Sequence, residues 1–121
     1  MLLAPLFGTA LVAVVATEPL NSAGNPTHLS TREKMAATEP LVRSATDCIV
    51  HAVAGDPRYG TRTAQLGDLI ADSMPRCVTP VRAMIDAYDL YYGEGTGEAF
   101  FMGPYLDVLP KAVVEGAAKP R

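Results

Sequence analysis

The sequence predicts an all-α fold: a single small domain of four or five short helices with one disulfide, preceded by a signal peptide. Three observations support it. From residue 30 onward, apolar residues recur every three to four positions, and no stretch sustains the period-two alternation of a half-buried strand. Ser, Thr, Pro and Gly stand where helices begin and end. The 121 residues suffice for one domain, and the two cysteines allow only one pairing.

Residues 1–16, MLLAPLFGTALVAVVA, carry no charged side chain. The run is shorter than the roughly 20 helical residues that cross a bilayer core. It has the length of a signal-peptide apolar region, and Val14-Val15-Ala16 supplies the small residues that a signal peptidase reads. No Lys or Arg precedes it, which is unusual for such a signal. The sequence therefore predicts a signal peptide over 1–16, a flexible mature N-terminus over 17–29, and a helical domain over 30–121 with no stable membrane span in the mature chain. ATEPL occurs at 16–20 and again at 37–41, but its surroundings do not match, and it is read as coincidence or a small duplication.

Ser30 and Glu33 have the spacing of a capping box. Pro40 is expected to kink the helix or to lie in the first turn of a new one begun at Thr38. Leu41, Val42, Ala45, Cys48, Ile49, Ala52 and Val53 then share one face, and Gly55-Asp56-Pro57 ends it. A second helix is predicted over 63–74, with Leu66, Leu69, Ile70 and Met74 as its stripe, and Pro75 turns the chain. Thr79 and Pro80 read as the start of a third helix ending near residue 92. Its polar residues are a narrow stripe of Arg82, Asp86 and Asp89, so it is the expected centre of the fold. A short helix over 98–102 and a last one over 104–117, kinked at Pro110, complete the domain.

Composition excludes some functions. Ten Lys and Arg stand against 13 Asp and Glu, with no basic run, which argues against nucleic-acid binding. Cys48 and Cys77 fit an oxidising compartment and are expected to form a disulfide. Cys48 and His51 have i, i+3 spacing, but structural zinc wants four ligands and the only other histidine is His28, so no metal is expected. No catalytic residue and no cofactor is assigned.

The remaining signal is YYGEGTGEAFFMGPYLD, residues 91–107. Six of the eight aromatic residues lie between Tyr88 and Tyr105, with Asp86, Asp89, Glu94, Glu98 and Asp107 nearby and no base between Arg82 and Lys111. The glycines of 93–97 do not make a phosphate loop, which needs a Lys and a strand-to-helix turn. Nor do they make an EF-hand, which would place oxygen ligands at Tyr91 and Gly93 and a Glu at Phe100. The reading adopted is a hinge, with Gly93 as a left-handed C-cap and the rings packed as core. A ligand or partner groove formed by Tyr88, Tyr92, Glu94, Glu98, Phe100, Phe101 and Tyr105 stays open beside it.

The function expected from these features is that of a small exported, periplasmic helical binding or accessory protein without catalysis, whose partner is a protein or small ligand. Two alternatives are a small carboxylate-dependent hydrolase acting on an envelope polymer, and a subunit of an envelope complex.

Overall fold

A computed structural model describes residues 28–119. The expected signal peptide, and all of the expected flexible N-terminus except residues 28 and 29, lie outside the described residues. Ser30 opens α1 (Thr31–Ala54) with the predicted capping box. The Glu33 N–H donates to Ser30 Oγ at 3.1 Å and the Ser30 N–H to Glu33 Oε1 at 2.9 Å. These hydrogen bonds hold the Glu33 carboxyl below its ordinary value. Pro40 neither ends nor restarts the helix. It removes one N–H, and the turns on either side keep theirs.

Residues 66–92 follow as one helical body: α2 (Leu66–Ser73), a 3₁₀ turn (Met74–Cys77) and α3 (Val78–Tyr92). Pro75 sits in the first turn of the 3₁₀ segment, where its missing N–H leaves no bond unmade. Residues 96–118 form another body: α4 (Thr96–Phe100), a π-helical turn (Phe101–Tyr105) and α5 (Leu106–Ala118). Pro104 lies inside the π turn. In α geometry its ring would press on the carbonyl four residues back, and the wider turn relieves that contact. The domain therefore has three helical bodies rather than the four or five helices expected, because Pro75, expected to turn the chain, and Pro104, expected to start a separate helix, are both accommodated within helical turns. No strand occurs among the described residues.

The centre of the fold is α1, not the third predicted helix. α1 packs against α3, α5, α2 and the 3₁₀ turn, and at 24 residues it spans about 36 Å. Ile49 and Val53 of α1 meet Met84 of α3 and Leu109 and Val113 of α5 in the core, all fully buried. Each such side chain contributes about 1.5–3 kcal/mol. α3 is apolar around most of its circumference, yet it leaves Val78 and Leu90 exposed at 52% and 56%. Composition told how apolar that helix is but not which of its sides would be covered.

Cys48 of α1 and Cys77 of the 3₁₀ turn form the expected disulfide, 29 residues apart in sequence. It ties α1 to the junction of α2 and α3, and the ring it closes is worth about 3.5 kcal/mol in the chain-entropy description. No helix among the described residues is long and apolar enough to cross a membrane.

Candidate functional site

The glycine-rich segment is a tightly built turn. Gly93 ends α3 at φ 119°, ψ 151°, a region open essentially to glycine alone; it is not the left-handed cap expected. Gly95 is left-handed, at φ 90°. Gly97 is required for a different reason, since a Cβ there would stand 2.1 Å from the Ile85 carbonyl oxygen of α3. Asp89, from the last turn of α3, accepts the N–H groups of Gly95 at 3.1 Å and Gly97 at 2.8 Å on one carboxylate oxygen. It thereby satisfies donors that the start of α4 would leave unpaired. Thr96 Oγ1 lies 2.9 Å from the Tyr88 carbonyl oxygen and 2.6 Å from that of Gly93. The Gly95 and Gly97 N–H groups thus already have a carboxylate partner, and those of Gly93 and Thr96 donate to the Asp89 and Gly93 carbonyl oxygens.

The seven residues named from the sequence as a groove divide among several settings. Tyr105 is core, and its hydroxyl is 2.8 Å from Thr46 Oγ1 of α1; burial pushes its pKa up. Phe100 stacks on Tyr88 with centroids 4.1 Å apart, and both rings are half-buried. Burial likewise raises the Tyr88 pKa, against a smaller opposing effect of its hydrogen bond to Thr38. Tyr92 lies at the exposed edge of this stack, with Lys34 Nζ 5.5 Å from its ring centroid. Phe101, Glu94 and Glu98 face a different space.

That space is a groove of about 620 Å³ between α3 and the turn. Met74, Val78, Val81, Ile85 and Phe101 form its apolar surface, and Asp86, Asp89, Glu94 and Glu98 bring carboxylates to it beside Arg82. Sequence reasoning had Glu94, Glu98 and Phe101 but missed the wall from α3 and the 3₁₀ turn. A signal was present: Arg82, Asp86 and Asp89 form the narrow polar stripe of α3, and Val78, Val81 and Ile85 flank that stripe at helical spacing. A second groove of about 620 Å³ lies at the start of α1, where Arg32, Met35, Glu39 and Tyr88 line it.

Among the described residues, no three His, Cys, Asp or Glu side chains are grouped to hold a metal ion. Both cysteines are taken up by the disulfide. No family model, curated protein or solved structure matches the chain.

Proposed function

We propose that the chain is a small exported, periplasmic binding or accessory protein without catalytic activity, which docks a partner on the α3 groove. The observation that carries this is the groove's make-up: the exposed Val78 and half-buried Met74, Ile85 and Phe101 stand beside the carboxylates of Asp86, Glu94 and Glu98, next to a closely packed turn. Apolar floors with a few placed polar groups are what binding sites use. Export rests on the uncharged apolar run at 1–16 and on the disulfide, which persists in oxidising compartments. The hydrolase reading is served less well. Glu94 and Glu98 are exposed, whereas burial in an apolar pocket is what lets a carboxylic acid keep its proton as a general acid.

The test places a photo-crosslinking residue at Val78 in the groove or at Val114 on α5, both about half-exposed, in the full chain made by an exporting bacterial host. One discrete adduct from position 78 and none from 114 is the expected result, with residues 1–16 absent from the purified chain by N-terminal sequencing. Equal labelling from both positions, a retained Met1, or turnover of an envelope polymer that is lost in Glu98→Gln would overturn the proposal.

A further inference from the structure

We infer that the occupant of the α3 groove is a cationic amphipathic helix, presented as a segment of a partner protein; this rests on the docking reading above. Two features of the groove specify it. The first is shape and length. The α3 residues that line it run from Val78 to Asp89, a span of about 16 Å, or three helical turns. A helix laid along such a stripe presents side chains at i, i+3, i+4 and i+7 to it, the usual mode of helix-in-groove recognition.

The second is the order of chemistry along the groove. At one end the exposed Val78 and half-buried Met74 offer apolar surface above the buried Val81. At the other, Asp86 and Asp89 of α3 stand with Glu94 and Glu98 of the turn and α4. Four carboxylates against the single guanidinium of Arg82 leave three negative charges. The occupant must therefore be apolar at the end that meets Met74 and Val78 and carry Lys or Arg at the end that meets Asp86, Glu94 and Glu98. An acidic occupant would be repelled, and an uncharged one would desolvate the carboxylates without compensation. Asp89 is held by the Gly95 and Gly97 N–H groups, so its charge is fixed in place and partner capture falls to Asp86, Glu94 and Glu98, all exposed.

The probe is a synthetic Leu/Lys amphipathic peptide bearing one Trp, titrated against the mature chain. The protein itself has no Trp, so the emission reports the peptide alone. Two control peptides replace every Lys by Glu or by Gln. The Lys peptide should bind and the Glu peptide should not. The triple variant Asp86→Asn, Glu94→Gln, Glu98→Gln should weaken binding about tenfold. A charge-matched triple away from the groove, Glu39→Gln, Asp68→Asn, Glu115→Gln, should change it by less than about twofold. Circular dichroism of both triples should match the parent, because the removed charges are exposed.

Equal weakening by the two triples would reduce the effect to net charge and overturn the inference. Equal binding of the Gln peptide, abolished by Val78→Gln, would overturn the cationic partner and leave the docking groove standing. Failure of all three peptides to bind would overturn both.

Discussion

Two links turn the chain between helical bodies, and they are held by opposite means. Residues 55–65, between α1 and α2, are mostly exposed and are organised by charge. The Arg58 guanidinium binds both Asp56 oxygens, at 3.0 and 2.8 Å, and reaches Asp72 of α2 at 2.9 Å. Residues 93–95, between α3 and α4, are organised by backbone contact: Gly97 rests on the Ile85 carbonyl, and Asp89 collects two N–H groups. The Cys48–Cys77 disulfide encloses the first link in a covalent ring, while the second lies outside that ring. A link whose ends are covalently tied can be long and solvated. One without that tie depends on close packing, and it is this packed link that carries the groove's Glu94 and Gly95.

The contrast can be broken most severely by opening the ring. Reduction of the disulfide is expected to cost about 3.5 kcal/mol and roughly 15 °C in Tm. An unchanged melting curve under reductant would mean that the long link needs no covalent tie. Next, Gly97→Ala should cost about 3 kcal/mol, because the new Cβ meets rigid backbone. Gly60→Ala in the first link, left-handed at φ 85° but with open space around its Cβ position, should cost only about 1 kcal/mol. Urea midpoints of the two variants decide; equal losses would erase the distinction between the links.

Asp89→Ala should come third, at about 2 kcal/mol, since two N–H groups lose a charged acceptor at a helix start. If its urea midpoint matched the parent's, the carboxylate would not be what orders the turn. The smallest effect belongs to the exposed ion pairs. The Arg58 side chain, and secondarily its backbone N–H, pulls the Asp56 pKa from 3.8 to about 2. Because the folded value is the lower one, Asp56 favours the folded state fully above pH 3.8 and loses that contribution as pH falls through about 2. Carboxylate NMR should give Asp56 a midpoint near 2 in the parent and an ordinary one in Arg58→Ala, with little change in the neutral-pH urea midpoint. A parental midpoint near 4 would refute the clamp.

Much of the domain was determined locally and could be read directly. The Ser30–Glu33 box needs only its own four residues. The helical class follows from apolar spacing, and the disulfide from two cysteines having one possible partner each. The glycines at 93 and 95 were legible as a turn because positive φ is a property of a single residue. Tertiary structure alone decided the rest. Whether a proline ends a helix depends on whether the surrounding backbone can accommodate it, and Pro40, Pro75 and Pro104 all lie within helical segments. The need for glycine at 97 arises from a carbonyl twelve positions away, on another helix. Tyr105 is core and Tyr92 is exposed although both are tyrosines of one segment, because burial is set by what α1 covers and not by the side chain. The groove likewise joins Met74 and Val78 to Glu94 and Phe101: helical periodicity acts over a few residues, and only the return of the chain past α3 brings its walls together.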